Sequence, residues 1–233
     1  MLSLDQPVPA TPILSDRGRE RHAAELDHVL IAVNDLGSAA RRIEDEYGLT
    51  ATQGGRHPAW GTANRIVPLG DAYLELVTVV DAKVAPRSPF GRWVAASQSE
   101  LLRPFGWAVR TSELHEVASR LGLTIERGSR TGRDGAPVRW RIAGVEEAAA
   151  EPALPFFIEW EPGTHLPGRA PTDHAAGEVR IGEVRVSGDS ERIEGWLGSY
   201  RVPLDIRPGS SALTAVILSP PSGDEVVLGA TEH

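Results

Sequence analysis

The chain has no cysteine and a single methionine among its 233 residues. Disulfides, thiolate nucleophiles and sulfur-bound zinc are therefore excluded, and any metal must be held by imidazole, carboxylate or backbone oxygen. Also missing is an apolar run of about 18 residues, the length needed to cross a bilayer. Residues 1–25 are polar and carry Pro7, Pro9 and Pro12 rather than a basic segment followed by an apolar one. Neither a membrane partner nor secretion is expected, and the cytoplasm is the expected location. Positive charge is scarce: 24 Lys and Arg stand against 32 Asp and Glu, a net charge of −8. That balance offers nothing to a phosphate backbone, so nucleic acid is not expected as a partner. Aromatic residues make up only 6% of the chain, yet six of them are tryptophans.

What is present is a pattern repeated three times, and repeats decide the fold before single elements do. The first pass reads as a strand over 26–33, then Asn34 and Asp35 as a helix start, then a helix with Leu36, Ala40, Ile43 and Tyr47 on one face, stopped by Gly48. Strands follow over 49–53, 62–68 and 72–80, the last two joined by the turn pair Gly70-Asp71. The second pass has a strand over 105–110, a helix over 113–121 with Leu114, Val117, Ala118 and Leu121 aligned, and strands over 123–127, 138–143 and 154–160. A third pass follows a Pro/Gly/His-rich stretch, with a strand over 179–186, a helix over 190–197 and strands over 204–206, 211–218 and 225–228.

Each βαβββ unit carries one sheet with an apolar face and one short helix, too little to bury a core alone, so units must pair. The fold class expected is α+β, with paired βαβββ modules in an open, cup-shaped sheet and a third such module at the C-terminus. The expected divisions are a tail at 1–23, a domain at 24–162 built of modules 24–82 and 101–162, a linker at 163–177 and the third module at 178–233. Three units leave one odd. The third either extends the edge of the paired sheet or pairs with its counterpart in a second chain, and a homodimer is the expectation.

Two residues in the first module demand explanation, because burying a charge is costly unless it is paired or bound. His28 opens the first strand, and Glu75 interrupts the apolar run Tyr73-Leu74-Glu75-Leu76-Val77. Alternate strand residues share a face, so Glu75 lies with Tyr73 and Val77, while Leu74 and Leu76 point the other way toward a helix. Glu75 is then expected to face the cup. The same parity groups Glu159 with Phe157 and Glu161, opposite Ile158 and Trp160, and two carboxylates and one imidazole are expected to converge.

These motifs carry a resemblance. The segment Leu26-Asp27-His28-Val29-Leu30-Ile31-Ala32-Val33, the segment 54–65 and Tyr73-Leu74-Glu75-Leu76 resemble the glyoxalase-like domains of the vicinal-oxygen-chelate superfamily. The resemblance implies two modules forming a cup whose central divalent metal binds two neighbouring oxygens of a small molecule. Carried over by position, His28, Glu75 and Glu159 would be metal ligands, with Glu75 or Glu159 released as a catalytic base. The fourth ligand is missing, since Pro104 stands where the second module would need one. The resemblance thus implies Fe, Mn, Ni, Co or Zn held by one His and two carboxylates, or else a cup that has lost its metal. The function implied is a metal-assisted lyase or isomerase acting on an oxygenated metabolite. The alternative is a non-catalytic protein of the same fold that binds or sequesters a small molecule.

The stretch 56–65 is dense in groups suited to a ligand: His57, Trp60, Thr62, Asn64 and Arg65. With Trp107 they are the candidate substrate-binding residues, since pockets combine apolar walls with a few convergent polar groups. Trp107, Trp140 and Trp160 read first as core and second as an aromatic pocket wall. Arg127, Arg130, Arg133, Arg139 and Arg141 gather on one hairpin with Gly128, Gly132 and Gly135. It reads either as a solvated hairpin or as a lid that clamps a carboxylate. His165 and His174, in the proline-rich linker, read as solvent-exposed.

Overall fold

A computed structural model describes residues 25–131 and 137–229. The tail at 1–23, the hairpin residues Gly132, Arg133 and Gly135, and the last residues of the third module lie outside the described residues. The chain runs β1 (Glu25–Ala32), α1 (Leu36–Tyr47), β2 (Thr52–His57), β3 (Thr62–Leu69), β4 (Ala72–Val79), α2 (Pro89–Ser97), β5 (Pro104–Arg110), α3 (Leu114–Leu121), β6 (Ile125–Thr131), β7 (Pro137–Ala143), α4 (Val145–Ala150) and β8 (Phe156–Trp160). It continues with β9 (Arg180–Ser187), α5 (Ser190–Leu197), β10 (Leu204–Arg207), β11 (Ala212–Ser219) and β12 (Val226–Gly229). Local signals set the boundaries of α1. The Asp35 carboxylate accepts from the Ser38 amide at 2.7 Å, and Gly48 closes the helix at φ 65°, a left-handed conformation that suits glycine.

The first eight strands form one sheet in the order β2-β3-β4-β1-β5-β8-β7-β6. Its two halves are alike: β1 pairs parallel with β4, and β5 pairs parallel with β8. They join where β1 runs antiparallel to β5. The edge strands β2 and β6 approach closely at Gly55, where an added Cβ would lie 3.0 Å from the Arg130 side chain and 3.1 Å from the Thr131 carbonyl. A glycine there lets the curled sheet come near to closing into a barrel.

Two cores follow from the two sheet faces. On the outer face, Val29, Ile31, Leu74, Leu76, Val109 and Phe157 pack with Ile43 of α1 and Leu114 and Val117 of α3. On the inner face, Leu30, Val77, Ala108, Ile142 and Ile158 meet Phe90, Trp93 and Val94 of α2 and Val145 of α4. Helices α2 and α4 thus plug the cup from within.

The C-terminal unit repeats the βαβββ element order but not its wiring. Its order is β10-β9-β11-β12, so the first strand pairs parallel with the second strand of the unit rather than with the last. It neither extends the edge of the large sheet nor leaves its apolar face open. Val184, Val186, Val216 and Leu218, with Trp196 and Leu197 of α5, join the outer core of the cup. The odd unit is accommodated inside one chain.

The linker, with His165 and His174 expected to be solvent-exposed, is a strap. Gly70 donates its amide to the Gly168 carbonyl at 3.1 Å, and Arg169 pairs with Asp71. His174, half-buried rather than exposed, accepts from the Thr50 amide at 2.9 Å through Nδ1 and donates to the Pro68 carbonyl at 2.6 Å through Nε2. An imidazole bridging two backbone groups fastens the chain to the rim of the first module.

Gly106 on β5 sits against the plug. A Cβ there would lie 2.3 Å from the Trp93 ring. Gly106→Ala is expected to destabilise the protein by about 1–3 kcal/mol through overpacking. Urea unfolding checks this, and an unchanged midpoint would show that α2 is not seated as described.

Candidate functional site

The site begins with an irregularity in β1. Leu26 pairs with Val109 and His28 with Ala108, so Asp27 is an extra residue in the register. Such a bulge re-aims side chains and breaks the strict alternation of a strand. Leu26 and Val29 both reach the outer core, and Asp27 and His28 are left together on the inner side, 0% and 3% exposed.

Asp27 is fully buried, and the fold supplies its carboxylate with donors. His28 Nδ1 lies 2.7 Å from Oδ1; Trp160 Nε1 and Arg110 Nη1 donate to Oδ2 at 2.9 and 3.3 Å. The Tyr73 hydroxyl also bonds to it, and burial together with the Asp27 charge pushes that phenol well above its ordinary pKa. With Nδ1 engaged by Asp27, His28 turns Nε2 to the cavity. Facing it at 3.6 Å is Glu75 Oε2. The other oxygen of Glu75 accepts from Asn64 Nδ2 at 2.8 Å, and Asn64 in turn accepts from the Gly55 amide at 2.7 Å. Tyr73 stacks on the His28 ring with centroids 4.7 Å apart, and Phe156 meets it edge-on.

These groups lie at one side of a narrow cavity walled by Trp60, Phe90, Trp140, Ile142, Phe156 and Trp160. His57 belongs to the wall. Its Nδ1 is 3.0 Å from the Thr62 hydroxyl, and its ring packs edge-on against Trp60 and Trp140. Burial pushes this imidazole down to about 4, with the Arg130 charge adding to the effect against the opposing pull of Glu75.

Of the residues singled out from sequence, His28, His57, Trp60, Asn64 and Glu75 line this one cavity. Thr62 stands behind His57. Three others point away. Arg65 alternates with Asn64 and Ile66 on β3, which puts it on the opposite face from the cavity. Trp107 is fully buried in the outer core, donating Nε1 to the Ala153 carbonyl at 3.2 Å. Glu159 also faces outward, paired with Arg141. Its parity with Phe157 holds, but Phe157 packs against Trp196 and Tyr200 of the C-terminal unit, so the pair turns away from the cup. The expected convergence of an imidazole with two glutamates is therefore corrected to an imidazole, one glutamate and the unexpected Asp27.

That correction bears on metal. Among the described residues no group of three or more His, Asp or Glu side chains is arranged to hold a metal ion. His28 Nε2 and Glu75 Oε2 are two donors, and Asp27 is already engaged by the His28 ring, Trp160, Arg110 and Tyr73. A resident divalent metal normally takes at least three protein ligands. The donor set does not fit one.

The sequence model of the glyoxalase-like domain matches residues 26–200, and the chain belongs to that family. No curated protein matches it. Among solved structures, a hypothetical protein from Staphylococcus aureus is similar at 14% identity and TM-score 0.62, covering 88% of this chain and 98% of its own. That overlap extends beyond the cup into the C-terminal unit. Methylmalonyl-CoA epimerase from Mycobacterium tuberculosis is similar at 20% identity and TM-score 0.41, over 60% of this chain and 88% of its own. A Streptomyces coelicolor methylmalonyl-CoA epimerase in complex with 2-nitronate-propionyl-CoA reaches 17% identity and TM-score 0.42, over 60% and 97%.

The buried His57 has a consequence for stability. Its imidazole takes a proton near pH 6.5 when unfolded and only near 4 when folded. Between those values the unfolded chain binds more protons, so stability is complete above about pH 6.5 and falls as the pH drops toward 4. The loss reaches about 3 kcal/mol at about 1.4 kcal/mol per pH unit. His57→Gln is expected to remove this component, so that the difference between wild type and variant narrows across that window. Parallel stability curves from denaturant titrations at each pH would contradict the assignment.

Proposed function

We propose that this protein is a small-molecule isomerase or lyase of the glyoxalase-like type that works by proton transfer at His28 and Glu75. The observation that carries the reading is the line Asp27–His28–Glu75 inside an aromatic cavity. Asp27 fixes the ring through Nδ1, leaving Nε2 as a base, and it stabilises the imidazolium formed when that base takes a proton. Glu75, 3.6 Å from Nε2, is the second proton carrier. Its position is held by Asn64 rather than by solvent, which keeps one oxygen aimed at the reacting atoms.

A substrate with a carbon acid next to a carbonyl would lie between the indoles with its acidic C–H over Nε2. His28 removes that proton and an enolate forms. The proton returns to a neighbouring atom from His28 or from Glu75, which gives isomerisation; departure of a β-substituent gives elimination. The walls keep water from the intermediate, which strengthens the electrostatic contacts within. No step needs a metal, in keeping with the two-donor site.

Proton exchange in D2O tests this. With carbonyl compounds bearing an adjacent C–H, wild-type protein is expected to wash deuterium into that position by proton NMR. His28→Gln is expected to slow exchange by roughly 10²–10⁴-fold, the usual contribution of a positioned acid or base. Glu75→Gln is expected to slow it as well, with both variants retaining the wild-type circular dichroism. Folded variants that exchange at the wild-type rate would contradict the proposal, and wild-type binding without exchange would favour a sequestering protein.

A further inference from the structure

We infer that the cup selects a small carboxylic acid with a flat, aromatic or conjugated body, and that Arg130 is the residue that reads its carboxylate. This rests on the reading of the cup as a small-molecule site. Arg130 lines the cavity that holds His28 and Glu75, and it also lines a wider neighbouring pocket that shares Ile66 and Pro167 with it. Arg130 therefore stands at the boundary of the two, the throat of the cup.

The throat position is built. The stem of Arg130 runs against Gly55 on the opposing edge strand, with 3.0 Å between its Cδ and the place a Cβ would occupy. A Cβ at 55 would press on that stem and on the Thr131 carbonyl, 3.1 Å away. None of the ion pairs among the described residues involves Arg130, and of the arginines without one it is the one that lines this cavity. In a chain of net charge −8 an arginine without a carboxylate partner among the described residues, set in a half-buried aromatic throat, calls for an anion from outside. A carboxylate matches the planar fork of a guanidinium through two parallel hydrogen bonds.

The remaining walls narrow the class further. His57 is neutral through burial and offers no competing positive charge, and the charge of Arg130 is felt at both His57 and Tyr73. Tyr73 stacks on His28. An acid group on Arg130 therefore lies near the proton-handling pair, so the ligand is short. Trp140 meets Trp60 and Trp160 edge-on or tilted, at 5.7 and 5.4 Å, and a flat body is the shape that aromatic walls of this kind contact best.

Calorimetric titration of the full chain with phenylacetate and with phenylacetamide tests the inference, since the two differ in little but charge. Wild type is expected to bind the acid at least about tenfold more tightly than the amide. In Arg130→Gln the two affinities are expected to become equal through loss of the acid alone, and Arg130→Lys is expected to restore part of the preference. Equal affinities in wild type, no binding of either probe, or an acid preference that survives in Arg130→Gln would overturn it. The result is separable from the catalytic reading: an acid preference without deuterium exchange leaves Arg130 as the reader and removes only the chemistry.

Discussion

A carboxylate with no access to water organises this molecule. Asp27 is fully buried, and an isolated buried charge would cost more than the whole net stability of a typical fold. It persists because β1, β4, β5 and β8 each send it a donor: the His28 ring, the Tyr73 hydroxyl, Arg110 and Trp160. Those strands come from both modules, so the anion is satisfied only when the two halves of the cup are joined correctly. Arg110 is also paired with Glu25, which ties the start of β1 to the end of β5. Breaking one partner of such a cluster is costly because the remaining charge stays buried.

The same interaction orients the candidate site. With Asp27 behind it, the His28 ring has one orientation and one free nitrogen, and Glu75 is the group that nitrogen meets. The rest of the cavity is largely apolar, and its polar members differ in role: Asn64 holds Glu75, His57 lines the wall without charge, and Arg130 adds a positive charge to the lining. The second module of the cup sends its glutamate outward, and the inward space there is filled by Phe156, Ile158 and Trp160.

Much of the fold is legible in the sequence because its signals are local. The helix start at Asp35, the stops at Gly48 and Gly122, and the turn at Gly70 need no knowledge of the rest of the chain, and the repeat makes the pairing of modules a matter of covering apolar faces. Glu75 is legible because the leucines on either side of it leave it only one face. Glu159 is not, because which face of β8 turns inward depends on Phe157 meeting Trp196 and Tyr200, residues some forty positions away. Arg65 falls to the same difficulty on a strand whose two faces are both largely buried. Asp27 is obscured by the bulge: strict alternation would send it away from His28. The signal that reveals it is the adjacency of two ionisable residues at the head of an otherwise apolar strand, which a regular strand cannot bury on one side. The C-terminal unit has the element order of the others, and only strand pairing, a long-range property, shows that it is wired differently.

The protonation pattern of the His28 ring, read by nitrogen-15 NMR of histidine-labelled protein, tests the organising role of Asp27 most directly. The proton is expected to sit on Nδ1, slow to exchange with solvent and coupled to Asp27, with Nε2 carrying a free lone pair; Asp27→Asn should abolish that pattern. A proton resident on Nε2, or a His28 signal indifferent to Asp27, would contradict it.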